Sequence, residues 1–208
     1  MDSLLAAAAP LLSAAFTILG SPVTWLEIVA AALGIGMVLC NLRVNPAGWP
    51  LAIVSSLLYA LLFADSKLYG EAALQLFFIA ISAWGWWQWL RGTGSDGRAL
   101  AVRRLSARWR GVALASTLLA WPMLGLLLDR LTDSDVPYLD ALPTVASVTA
   151  QILLARKLID NWPLWLFINL FSMALFAHKG LWLTVVLYGI FALLSIAGWR
   201  AWQRRVHV

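Results

Sequence analysis

The sequence predicts an all-α membrane protein in which one three-helix unit occurs twice. Two observations carry that prediction. The first is composition. Of 208 residues, 62% are hydrophobic and 12% charged, and the mean hydropathy is +0.82. Soluble domains are about a quarter charged, so these figures exclude one. The second is an internal repeat. Residues 27–91 lie without a gap on residues 140–204, and 16 of the 65 paired positions are identical. The pairs include Arg43/Arg156, Trp49/Trp162, Pro50/Pro163, Leu51/Leu164, Phe63/Phe176, Ser82/Ser195, Gly85/Gly198, Trp86/Trp199 and Trp89/Trp202. Biased composition inflates leucine matches. It does not return Trp-Pro-Leu, Leu-Phe-Ala and Gly-Trp-x-x-Trp at one offset. Such self-similarity decides an architecture before any single element does.

The chain opens on an apolar, alanine-rich stretch at 4–19, interrupted by Pro10 and broken by Gly20, Ser21 and Pro22. No positive segment precedes it, so it is not expected to be a cleaved signal peptide. It predicts an extra N-terminal helix, spanning or interfacial. Seven stronger spans follow, at about 25–42, 49–64, 71–90, 111–128, 141–155, 162–177 and 180–199. Several are near the lower length limit for a bilayer core of about 30 Å. Pro50 and Pro163 stand at span starts, where a missing N–H costs nothing. The expected organisation is an N-terminal helix in 1–22, a first three-helix repeat in 23–91, a basic loop and linking helix in 92–139, and a second repeat with a basic tail in 140–208.

Three spans reverse the direction of a chain, and one linking span restores it. A 3+1+3 order therefore predicts parallel repeats, related by an axis along the membrane normal. Charge gives an independent topology. With the carboxyl terminus inside, the inside loops hold Arg43, Arg91, Arg98, Arg103, Arg104, Arg108, Arg110, Arg156, Lys157, Arg200, Arg204 and Arg205. The outside loops hold only Lys67, Arg130 and Lys179. Basic residues accumulate on the cytoplasmic side. The loop 91–110 reads as a topology anchor, with two alternatives: a basic amphipathic segment on anionic lipid, or a docking site for a cytoplasmic partner. In such a chain the net charge of +5 is a topology signal rather than a sign of nucleic acid. The single cysteine, Cys40, permits no disulfide framework and reads as a small buried hydrophobe.

Away from their ends the spans contain no Asp, Glu, Lys, Arg or His. Proton relays and ion paths need such groups inside the membrane, and membrane-embedded hydrolases need them for acid–base or metal chemistry. No P-loop pattern is present. The chain is expected to be no enzyme, to need no cofactor and to hold no metal. His178 reads as a solvated loop residue. Of the 13 tryptophans, Trp84, Trp86, Trp87, Trp89, Trp199 and Trp202 read as interfacial belt residues.

The sixth span is more informative. Trp162, Trp165, Asn169, Ser172 and Phe176 share one helical face. Its first-repeat counterpart carries Trp49, Ala52, Ser56, Tyr59 and Phe63. The third helices offer Gln75 and Tyr188 at equivalent positions, and Thr144, Ser147 and Gln151 share a face of the fifth span. Polar side chains also glue membrane helices together. That accounts for the serines and Thr144 better than for Trp165 and Asn169. The candidate substrate site is therefore Trp165, Asn169 and Gln75, with Tyr188, Trp162, Ser172, Tyr59, Ser56 and Trp49 around it. Without charge it would hold a phosphate poorly. Its indole and phenol faces suit a flat, even cationic, ring, and its amides and hydroxyls suit sugar or amide groups. A nucleoside-like or vitamin-like molecule fits.

From about Pro22 to Arg204 the chain resembles the PnuC family of bacterial vitamin transporters. The resemblance is carried by Lys67-Leu-Tyr-Gly-Glu-Ala-Ala-Leu-Gln-Leu-Phe-Phe, Trp84-Gly-Trp86, Ala155-Arg-Lys-x-x-x-Asn-Trp-x-Leu-Trp165, Asn169, Lys179-Gly-Leu181 and Tyr188. It implies a SWEET-like 3+1+3 fold, a homotrimer in the bacterial inner membrane, and facilitated diffusion of nicotinamide riboside, trapped by a cytoplasmic kinase. Members of that family also carry thiamine or riboflavin. On the second span this chain has Ser55, Ser56 and Tyr59 where other members carry a more extended polar set. A non-transporting membrane scaffold or sensor is the reading from another class.

Overall fold

The computed structural model describes residues 10–18, 21–65, 69–94, 97–132, 136–178 and 182–206. It corrects the N-terminal helix first. Ala14–Ile18 (β1) is extended and pairs antiparallel with Ser21–Thr24 (β2). Phe16, Thr17 and Ile18 favour an extended backbone, and a residue ahead of proline, here Ser21, is driven to the same region. A helix over the whole of 4–19 is therefore not formed; residues 4–9 lie outside the described set. Among the described residues the class becomes mostly helical, with a two-stranded sheet at 14–24.

Seven α-helices are described: α1 (Trp25–Leu42), α2 (Gly48–Asp65), α3 (Tyr69–Arg91), α4 (Ala107–Leu131), α5 (Pro137–Ala155), α6 (Asn161–His178) and α7 (Trp182–Gln203). Each overlaps one predicted span, and residues 180 and 181 of the last span lie outside the described residues. Four of them contain segments long and apolar enough to cross a membrane: Trp25–Leu42, Ala107–Leu131, Pro137–Ala155 and Thr184–Gln203. The chain divides into two units, Met1–Leu90 and Arg91–Val208, each with its own internal packing. In the first, α1 packs on α2. In the second, α4 packs on α5, α5 on α6, and α6 on α7.

Capping sets the start of α1. Thr24 Oγ1 accepts from Glu27 N–H at 3.2 Å, and Glu27 Oε2 accepts from Thr24 N–H at 2.7 Å. This capping box satisfies two of the four N–H groups a helix start leaves open. It also explains a carboxylate at the edge of an apolar span.

The repeat is visible in atomic detail inside each unit. Helix α1 ends with Arg43 as its cap and Val44 at φ 58°; α5 ends with Arg156 and Lys157 at φ 52°. Asn45 N–H donates to Cys40 O and Val44 N–H to Asn41 O; Leu158 N–H donates to Leu153 O and Lys157 N–H to Leu154 O. Both are Schellman motifs, which satisfy the last carbonyls of a helix. In the first unit Trp49 lies over Gly85 and meets Trp89 edge-on, with centroids 5.5 Å apart at 85°. In the second, Trp162 lies over Gly198 and meets Trp202 at 5.5 Å and 86°. Glycine is required at both places, because a Cβ would overlap the ring. Trp89 is 8% exposed and Trp202 0%. Both were expected in the interfacial belt, and both are instead core residues clasping another indole. Trp84, Trp86, Trp87 and Trp199 are exposed, as belt residues are.

The stretch ahead of α4 also differs from a basic amphipathic segment lying on lipid. Leu100 and Val102 are buried. Arg103 forms a parallel bridge with Leu158: its N–H donates to Lys157 O at 3.2 Å, and its carbonyl accepts from Ile159 N–H at 3.0 Å. Asp160 then takes Leu105 N–H and Arg110 Nε, each at 2.7 Å. The linker is thus docked on the α5–α6 turn. Further along, Trp121 Nε1 donates to Tyr138 O, and Tyr138 packs on Gly125.

Candidate functional site

The α6 face predicted from spacing is turned inward. Trp162, Asn169 and Ser172 are buried, and Trp165 is half-buried against Ala146, Ala150 and Ile168. The small side chains of α5 let α6 approach closely, which is how membrane helices pack. Asn169 is the polar centre of this face. Its Nδ2 donates to Ser195 Oγ on α7 at 3.2 Å, and Ser195 Oγ donates to Phe191 O at 2.8 Å. That chain of bonds fixes the orientation of the amide. Only one of the two N–H groups of Asn169 is used by Ser195.

Tyr188 stands on α7, one turn before Phe191. Its ring meets Phe176 of α6 at 5.1 Å and Phe191 at 6.1 Å. Across α5, Gln151 is buried, whereas Thr144 Oγ1 donates to Asp140 O of its own helix at 2.9 Å. Thr144 is therefore spent locally, and Gln151 is the polar residue α5 keeps inside.

The first unit holds the other four predicted residues. Trp49 is buried in its clasp on Gly85, Ser56 and Tyr59 are half-buried on α2, and Gln75 is half-buried on α3. The neighbour of Ser56, Ser55, is helix glue: its hydroxyl donates to Ala30 O of α1 at 3.0 Å. The structure thus gathers Trp162, Trp165, Asn169, Ser172 and Tyr188 in one unit, and Trp49, Ser56, Tyr59 and Gln75 in the other.

Three buried amides were not anticipated: Asn41 on α1, Gln88 on α3 and Asn161 at the start of α6. Asn161 has a visible signal. The first repeat has Gly48 at its place, and there Asn41 of α1 reaches over the glycine. Outside the helices, Lys157 donates Nζ to Leu100 O at 2.9 Å, and burial lowers its pKa below the ordinary 10.5.

Apolar helices around a neutral polar and aromatic face are the build of a multi-pass membrane protein. A family model described as nicotinamide mononucleotide transporter matches residues 24–204. The chain belongs to that family. It is 26% identical over 207 residues to the nicotinamide riboside transporter PnuC of Escherichia coli (strain K12), covering 88% of this chain and 87% of that one. It is 28% identical over 196 residues to the riboflavin/roseoflavin transporter RibM of Streptomyces davaonensis, covering 93% and 91%. A crystal structure of the Vitamin B3 transporter PnuC matches with a TM-score of 0.71 at 25% identity, over 88% of this chain and 82% of that one.

Proposed function

We propose that the chain carries nicotinamide riboside into the cell by facilitated diffusion. Its spans stand in a 3+1+3 order with parallel repeats. It works as a homotrimer in the inner membrane, with the carboxyl terminus and the 91–110 loop cytoplasmic, and a cytoplasmic kinase traps the solute. The observation that carries the substrate class is the α6 face. Trp165 and the oriented amide of Asn169 share that face one turn apart, and α6 carries no charged residue from Asn161 to Ala177. Nicotinamide riboside has a cationic pyridinium ring for the indole, and a carboxamide and ribose for the amide. Gln75 is the chief contribution from the first repeat.

A second reading, riboflavin or another ring-containing vitamin, is favoured by the match to RibM over most of both chains. Uptake of labelled nicotinamide riboside into proteoliposomes, with riboflavin and thiamine as competitors, separates the two. Nicotinamide riboside is expected to enter and to outcompete both; preferential entry of riboflavin or thiamine reverses the assignment. Trp165→Ala removes a ring face worth about 0.5–2 kcal/mol to a cation. Asn169→Leu leaves substrate groups unpaired, at about 1–3 kcal/mol. Leu170→Ala, on the exposed side of α6, is the control. If both site variants bind by calorimetry as tightly as the parent, the α6 face is helix packing and the site lies elsewhere.

A further inference from the structure

We propose, resting on the α6 substrate face argued above, that Asp160 is a positioning residue for transport: it straps the site-bearing helix to the linker and α4. Asp160 is the last residue before α6, where a carboxylate usually caps the helix. Here no cap is needed. Asn161 N–H donates to Leu158 O and Trp162 N–H to Ile159 O, both at 3.1 Å, and Pro163 has no N–H to satisfy. The first repeat starts its helix in the same way without a carboxylate. Gly48 N–H donates to Asn45 O, Trp49 N–H to Pro46 O, Pro50 follows, and Ala47 stands in the place of Asp160. The Asp160 carboxylate is thus released from the helix start. It uses both oxygens elsewhere, Oδ2 on Leu105 N–H and Oδ1 on Arg110 Nε, each at 2.7 Å.

The strap belongs to the copy that carries the site. Trp165 and Asn169 follow Asp160 by about 8 and 14 Å along α6, at 1.5 Å per residue. Their counterparts on α2 are Ala52 and Ser56, and the corner before α2 lacks the groups that make the strap. Pro46 has no N–H where Ile159 donates to Arg103 O, and Val44 has no amine where Lys157 donates to Leu100 O. The N–H groups of Val44, Asn45, Ala47, Gly48 and Trp49 bond instead to residues 40–46. An anchor positions only when it is itself held. Helix α4 is tied to α5 at two further levels, Thr117 to Thr149 at 2.7 Å and Trp121 Nε1 to Tyr138 O at 2.6 Å. The linker, α4 and the α5–α6 corner therefore form one body, and the start of α6 cannot tilt away without breaking two bonds to a carboxylate. Binding groups must be held to within about 0.5 Å by their support. Asp160 supplies that support through α6 and need not touch the solute.

The test pairs hydrogen exchange with calorimetry on the full chain in detergent, using nicotinamide riboside or riboflavin, whichever the parent binds. Asp160→Ala should speed exchange at 103–105 and 159–165 about tenfold, by freeing the bonds that protect them. It should weaken solute binding about tenfold, the size of loss that removing a supporting contact causes. Uptake into proteoliposomes at saturating solute should stay within about twofold, so that KM moves and kcat does not. A role in stability alone would lower the unfolding temperature and leave the affinity of the folded protein unchanged. Asp160→Asn keeps an oxygen for Leu105 N–H and should recover part of the affinity. Ala47→Asp puts a carboxylate at the exposed matching place in the first corner and should change neither readout. Faster exchange at 103–105 with parental affinity overturns the proposal, as does an equal loss of affinity in Ala47→Asp. Should Asp160→Ala not fold, Asp160→Asn and Arg110→Gln decide: both should weaken binding, and parental affinity in both overturns the positioning role. A parent that binds neither vitamin refutes the substrate reading, whereas unaltered exchange at 159–165 in Asp160→Ala refutes the strap with or without solute.

Discussion

At the residue scale, two glycines illustrate how far the sequence was legible. The pairing of Gly85 with Gly198 was plain from the repeat, but its reason was not. Each lies under an indole, and that contact joins residues 36 apart in the chain, Trp49 to Gly85 and Trp162 to Gly198. No local period reports it. The same contact put Trp89 and Trp202 inside, where composition alone suggested a belt. Gly85→Ala and Gly198→Ala should each cost about 1–3 kcal/mol by overpacking. Thermal unfolding in detergent checks this, with Gly111→Ala as control, because a Cβ there meets nothing. Lys157 gives a pH prediction. Burial disfavours its charged form in the folded state, so the unfolded chain binds that proton more tightly. This cost is fully present below the lowered folded pKa and is relieved as pH rises towards 10.5. The parent should therefore gain stability over that window relative to Lys157→Met. A parallel pH profile in the two proteins would remove the desolvation account.

At the element scale, the helices were legible because hydropathy and length together leave few alternatives. The seven spans and the seven helices differ mainly at their ends. Helix α4 begins at Ala107 rather than 111, since Arg108 is exposed and Arg110 is paired with Asp160, so a helical first turn leaves neither charge buried and unpaired. The hairpin at 14–24 was not legible, because alanine-rich apolar sequence reads as helix until a partner strand is known. The two Schellman corners carry a further prediction. A non-glycine residue in the left-handed region costs about 1–2 kcal/mol, and glycine there gives back about 0.5–1 kcal/mol in chain entropy. Val44→Gly should therefore stabilise by about 0.5–1 kcal/mol. Lys157→Gly also loses the Leu100 bond, worth about 1 kcal/mol, and should come out near zero. Denaturant midpoints of the two variants measure the difference directly.

At the scale of the whole molecule, the two units are copies with unequal attachments. The turn after α5 differs from its copy after α1 at all five positions, 157–161 against 44–48, and two of the changes, Lys157 for Val44 and Asp160 for Ala47, bring a charge. Those two side chains, with the Arg103 bridge, tie the linker to the second repeat. The sequence displayed both substitutions, but their meaning depends on a strand pairing 55 residues apart. Tolerance to insertion should follow this docking rather than distance from the spans. Leu100 N–H donates to Gly92 O and Gly94 N–H to Arg98 O, closing a small hairpin around Gly97. Gly97 sits there at φ 74° with open space around it. Insertions at such tips disturb little buried backbone. A short Gly-Ser insert after Gly94 should leave the unfolding temperature and substrate binding unchanged. The same insert after Arg103 displaces Leu105 from Asp160 and shifts Arg110 away from its partner. At about 1 kcal/mol for a neutral hydrogen bond and more for a charged one, the loss should be about 2–4 kcal/mol. Equal tolerance at the two places would mean that the linker is not held by the second repeat. Greater damage at Gly94 would mean that the hairpin tip, rather than the Asp160 turn, bears the attachment.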